Sequence, residues 1–120
     1  DLPLIIHGVR AIPELITVYK KYRSPRNWIM HGFNNRREIL QDLLRHGFYV
    51  SAGRHAMNEE SHIYQLLPEI PADRLFIETD NSDYTIEEVY RKVAERRNVP
   101  VEELQRIVRM NFEEVFAFRL

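Results

Sequence analysis

The stretch Arg74-Leu75-Phe76-Ile77-Glu78-Thr79-Asp80 decides the fold. A short apolar run rises out of the turn Pro71-Ala72-Asp73 and finishes in a carboxylate. Such a run reads as a buried parallel strand whose carboxyl end faces a site. In α/β folds, ligands and catalytic groups gather at those ends. Side chains alternate along a strand, so Phe76, Glu78 and Asp80 share one face and Leu75, Ile77 and Thr79 the other. Two carboxylates on a buried face are costly without cations or hydrogen bonds to hold them. Asp80 could instead cap the following helix, because aspartate is a favoured cap. The other strands decide between these uses.

Outward from this strand the same unit repeats. Leu2–His7 reads as a first strand, with Pro3 tolerable at its beginning. Asn27-Trp28-Ile29-Met30-His31 reads as the second, Phe48–Ala52 as the third and Leu75–Asp80 as the fourth. Between them, Ala11–Tyr22 is expected to be a helix, with Pro13 in its first turn and Leu15, Ile16 and Tyr19 on one face. Asn35–His46 follows as a second helix, with Ile39, Leu40, Leu43 and Leu44 inward and Gly47 as a left-handed cap. Gly53–Glu60 reads as a polar loop, and Ser61–Leu67 as a short helix ending before Pro68. Beyond the fourth strand, Ile86, Val89, Tyr90, Val93 and Ala94 mark a helix over Thr85–Arg97. Pro100 starts another, carrying Val101, Leu104, Ile107 and Val108, and Asn111 is expected to cap a last one carrying Phe112, Val115 and Phe116.

Strand–helix alternation argues for a parallel sheet in one α/β domain spanning residues 1–120. A four-stranded sheet of this kind is complete if helices cover both faces. In half a barrel, the inward face and both edges are expected to stay open.

The bulk composition narrows the function. Seventeen basic residues stand against 18 acidic ones, a net charge of −1, so no wholesale electrostatic grip on nucleic acid is indicated. The absence of cysteine rules out disulfides and thiolate metal sites and fits a reducing compartment. No run approaches the roughly 18 apolar residues of a membrane span, and the N-terminus does not resemble a signal peptide. A cytoplasmic protein without membrane contact is the expectation.

Three strands deliver a metal-competent group at their carboxyl ends: His7, His31 and Asp80. Imidazole nitrogens and a carboxylate suit Zn²⁺, Mn²⁺ or a similar divalent ion and leave positions open for water and substrate. Either histidine alone is explained by hydrogen bonding in a core; two at equivalent positions beside Asp80 favour the ion. Arg54 and His55, in the loop after the third strand, are candidate anion contacts at the same end of the sheet, and Arg10 has a similar claim. Asn34, Asn35 and Asn81 follow strands two and four, where amides hold phosphate oxygens or cap helices; capping suits Asn35 better. His46 belongs to a helix C-terminus and His62 to solvent. Tyr19, Tyr49, Trp28 and the phenylalanines read as core packing rather than stacking platforms for bases.

Pro3-Leu4-Ile5-Ile6-His7, Ile29-Met30-His31-Gly32-Phe33, Gly47-Phe48-Tyr49-Val50-Ser51 and Ile70-Pro71-Ala72-Asp73-Arg74-Leu75-Phe76-Ile77-Glu78-Thr79-Asp80 together resemble the second half of the TatD family of metal-dependent deoxyribonucleases. Asn111-Phe112 followed by Val115-Phe116 is similar to that family's C-terminal helix. The resemblance implies the C-terminal half, strands five to eight, of a TIM (β/α)₈ barrel of the metal-dependent hydrolase type. It implies phosphodiester hydrolysis at a two-metal centre of Zn, Mn or Mg ions, with DNA ends or another phosphodiester as substrate. By this likeness His7, His31 and Asp80 are metal ligands. Asp80 can also take a proton from the attacking water, and Arg10, Asn34, Arg54 and His55 are phosphate contacts.

The sequence departs from the family in places. The His-x-His strand and the metal-bridging glutamate of the N-terminal half do not occur in these 120 residues. Val9 stands where the family usually has arginine, with Arg10 one later. Asn34-Asn35 replaces Ser-Gly, and the loop after Asp80 shortens to Asn81-Ser82-Asp83-Tyr84. Two other functions fit the residues. One is an amidohydrolase-type enzyme cleaving C–N or ester bonds; the other is a non-catalytic half-barrel that covers its open face by self-association.

Overall fold

A computed structural model of the chain describes residues 28–79 and 83–116, and residues 4–6 as backbone. Four parallel strands form one sheet: β1 (Leu4–Ile6), β2 (Trp28–Met30), β3 (Tyr49–Ala52) and β4 (Leu75–Ile77). Their spatial order equals their chain order. Ile5 lies level with Ile29, Ile29 with Tyr49, and Ser51 with Phe76. Four helices are described: α1 (Arg37–Arg45), α2 (His62–Leu66), α3 (Ile86–Arg97) and α4 (Val101–Val115).

Strand order alone separates the two architectures left open by the sequence. Parallel crossovers are right-handed, so connections that always step to the next strand in the same direction put their helices on the same face. A doubly wound sheet needs a reversal of strand order to cover its second face, and the order here has none. The sheet is therefore wound on one side, as in a barrel.

Burial identifies the helix side. At the centre of the sheet Met30, Val50, Ala52 and Leu75 are fully buried, with Trp28 and Ile77 of the same face less so, whereas the alternate positions Ile29, Tyr49, Ser51 and Phe76 keep a few per cent of their surface. The second set lies on the inward face of the curved sheet. It is less open than the sequence suggests, and the side chains themselves give a reason. The Tyr49 ring meets the Phe76 ring at 5.5 Å between centroids, and the Arg74 guanidinium lies 4.5 Å from the Tyr49 ring centre. The aromatic layer thus closes over itself below the carboxyl rim.

Local signals set most element ends. Gly47, at φ 83°, turns the chain out of α1 in a conformation that costs other residues a Cβ clash. The Ser61 hydroxyl accepts the Tyr64 N–H at the start of α2. Thr85 and Glu88 form a reciprocal capping box at the start of α3, and Asn98 in the left-handed region ends it. Arg96 donates to the carbonyls of Tyr64 and Gln65, and Arg97 to those of Leu67 and Ile70. These contacts satisfy carbonyl oxygens that the end of a short helix would leave without a helical partner.

Several expectations are corrected. Asn111 does not cap a separate last helix: α4 runs unbroken from Val101 to Val115. The Asn111 side chain is buried, and its Nδ2 donates to the carbonyls of Ala72 and Leu75 at 2.7 and 2.9 Å. The loop after β3 holds a 3₁₀ turn over Arg54–Met57 that buries Ala56. Regular β4 ends at Ile77, although the Glu78 N–H still donates to the Ala52 carbonyl and carries the ladder one residue further. The helix expected over Ala11–Tyr22 lies outside the described residues.

Candidate metal centre at the carboxyl rim

Continuing the strand register by one residue puts His31 level with Ser51 and Glu78 level with Gly53. β2 and β4 do not touch: β3 runs between them, so their ends stand about 9–10 Å apart. Glu78 nevertheless reaches His31. Its Oε2 lies 2.8 Å from His31 Nδ1 and also accepts the Ser51 hydroxyl. The crossing is made possible by what β3 offers at that level. Ser51 supplies a short donor, and Gly53 supplies no side chain at all.

The fit at Gly53 is tight. A Cβ there would stand 2.9 Å from Glu78 Cγ, closer than real Cβ atoms approach, and 3.2 Å from Oε1, tighter than most such contacts. The constraint is steric, because Gly53 has φ −131°. Gly32 differs. Its φ of +62° lets the chain turn directly after His31, and a Cβ there would meet Glu78 Oε1 only at 3.7 Å. The Phe33 N–H then donates to the Ser51 carbonyl at 3.1 Å and ties the turn to β3.

His31 and Glu78 are both half-buried, with 20% and 15% of their side chains exposed. A carboxylate only accepts, so the imidazole presents Nδ1–H to it, and ligation or proton transfer falls to Nε2 on the far side of the ring. An imidazole held in this way is the usual form of a histidine ligand to a divalent ion, so the donor chemistry fits a metal.

The other expected site residues divide into two groups. His7, Arg10 and Asp80 lie outside the described residues. Among the described residues no three histidine, aspartate, glutamate or cysteine side chains gather as a metal cluster. Arg54 and His55 are exposed on the turn that follows β3. Asn34 is partly buried, and its Oδ1 accepts the Ile63 N–H, which fastens the loop after β2 to α2. His46, as expected, serves its helix end: Nδ1 lies 2.7 Å from the Asp42 carbonyl.

Three residues of the cluster were not singled out as site residues from the sequence. Glu78 had a signal, since alternation places it on the face of Asp80. Ser51 and Gly53 had little, because their part depends on a side chain arriving from another strand.

A one-sided parallel sheet with its polar cluster at the carboxyl rim defines the class: this is part of a (β/α)₈ barrel. Residues 1–117 match the family described as TatD related DNase, and the chain belongs to that family. The chain is 28% identical over 131 residues to the "Uncharacterized metal-dependent hydrolase YabD" of Bacillus subtilis, covering 97% of this chain and 51% of that protein. It is 33% identical over 103 residues to the "3'-5' ssDNA/RNA exonuclease TatD" of Escherichia coli, covering 83% of this chain and 40% of that one. The crystal structure of YjjV, a TatD homologue from Escherichia coli, superposes with a TM-score of 0.86 at 21% identity, over 99% of this chain and 51% of that one. The chain thus spans about half the length, or less, of these relatives. No helix among the described residues is long and apolar enough to cross a membrane.

Proposed function

We propose that this chain provides one side of a metal-dependent phosphodiesterase site that acts on DNA ends. His7, His31 and Asp80 hold divalent ions at the carboxyl rim. The observation that carries this reading is the His31–Glu78–Ser51 cluster at the rim of a family barrel, with a histidine set up as a ligand. A divalent ion bound there supplies a Lewis acid for the phosphoryl oxygens and lowers the pKa of water. The chain's own residues do the rest. Asp80 accepts a proton, Arg10, Arg54 and His55 neutralise the phosphate, and the Asn34 amide holds a phosphate oxygen. Near-zero net charge suits an enzyme that engages a strand end locally rather than coating a duplex. The cysteine-free composition fits work in a reducing compartment such as the cytoplasm.

The test offers the intact protein, with both sides of the site in place, end-labelled single-stranded DNA alongside a panel of amides and esters, each with Zn²⁺, Mn²⁺ or Mg²⁺. Expected is metal-dependent release of nucleotides from DNA, removed by chelation and by His31→Ala. Cleavage of amides or esters with DNA untouched would move the protein to C–N or ester chemistry. No turnover with any ion would overturn the enzymatic reading in favour of a non-catalytic, self-associating half-barrel.

A further inference from the structure

We infer that Glu78 is a positioning residue: held by Ser51 and given room by Gly53, it fixes the His31 ring with Nδ1 as donor and turns Nε2 toward a divalent cation. The inference rests on the metal site proposed above and says how that site is kept in order. A histidine on a strand end can rotate about two side-chain bonds and can carry its proton on either nitrogen. The contact with Glu78 restricts both freedoms. The carboxylate 2.8 Å from Nδ1 selects the tautomer and sets the ring plane.

That carboxylate needs its own support, because it crosses a whole strand to reach the imidazole. Ser51 gives its hydroxyl to the same oxygen that His31 uses, and Ser51 is almost fully buried, so the hydroxyl has little water to turn to instead. Gly53 lines the path of the Glu78 stem at 2.9 Å from where a Cβ would be, so any larger residue pushes the carboxylate off the ring. Three strands therefore act on one imidazole. β2 carries it, β4 orients it, and β3 supplies the hydroxyl and the gap between them.

The test reads the ring itself, without metal or turnover. Long-range ¹H–¹⁵N correlation spectra of the metal-free protein report which nitrogens of the His31 ring carry a proton. A single tautomer protonated on Nδ1 is expected in the wild type, and a mixture or the opposite tautomer in Glu78→Ala. Zn²⁺ titrated into the same samples by calorimetry should bind roughly 10- to 100-fold more weakly to Glu78→Ala. Ser51→Ala, a smaller change, should loosen the tautomer and the affinity in the same direction, which covers the case of a Glu78→Ala protein that does not fold. An unchanged tautomer in the variants, or equal Zn²⁺ affinity, would overturn the positioning role while leaving the metal site standing. A fixed Nδ1–H tautomer in a wild type that binds no Zn²⁺ would overturn the metal site instead, and the cation half of this inference with it.

Discussion

A glutamate that crosses a strand to meet an imidazole depends on residues that do nothing chemical. At Gly53 the decisive property is absence of a side chain, since the Cβ position lies 2.9 Å from Glu78 Cγ. Gly53→Ala is expected to destabilise the protein by about 1–3 kcal/mol through overpacking, read as a lower midpoint in urea with an unchanged slope. An unaltered midpoint would mean the Glu78 stem moves aside freely. Gly32 faces a different constraint, a left-handed φ of +62°, with ordinary contact distance around it. The sequence carried half of this. Alternation along Arg74–Asp80 places Glu78 on the functional face, and burial rules demand a partner for its charge. Which partner answers was not legible, because His31 and Ser51 are brought to it by strand order and register.

The elements were legible where caps and periodicity act locally and failed where tertiary contacts override them. Gly47 after the apolar face of α1 forms the expected left-handed cap; the apolar spacing placed the start of α3 at Thr85, and the box that Thr85 forms there with Glu88 is a local signal of the same kind. Asn111 looked like a cap because asparagine usually competes with the helix backbone. Inside α4 its amide instead satisfies the carbonyls of Ala72 and Leu75 at the start of β4, so a buried polar side chain fastens helix to strand. Asn111→Ala is expected to cost about 1–3 kcal/mol, since two carbonyls lose their donor, with the loss seen in thermal or urea unfolding. Asn111→Asp should cost more, because a carboxylate cannot donate to a carbonyl. A neutral Asn111→Ala would show that water replaces the amide at no cost.

At the scale of the whole molecule, strand order decided what composition could not. Four strands in unbroken sequence make a one-sided sheet, and the polar groups at its carboxyl rim follow from that winding. The surface of the molecule carries separate ion pairs. Glu59, Glu69 and Glu103 are held below their ordinary value of 4.5 by hydrogen bonds and charge from Lys92, Arg37 and Arg106. A depressed carboxylate stabilises the fold above its unfolded value and loses that contribution as pH falls through the folded one. Melting temperature is therefore expected to fall as pH drops below 4.5, and less steeply in about 1 M salt, where exposed pairs are screened. A melting temperature that rises on acidification would contradict this account of the surface. The centre of the account is the rim, and anomalous diffraction from crystals soaked in Zn²⁺ tests it most directly. The expected result is a zinc peak about 2.0–2.1 Å from His31 Nε2, with His7 and Asp80 around it and Glu78 still on Nδ1; zinc bound elsewhere, with His7, His31 and Asp80 turned away from one another, would contradict it.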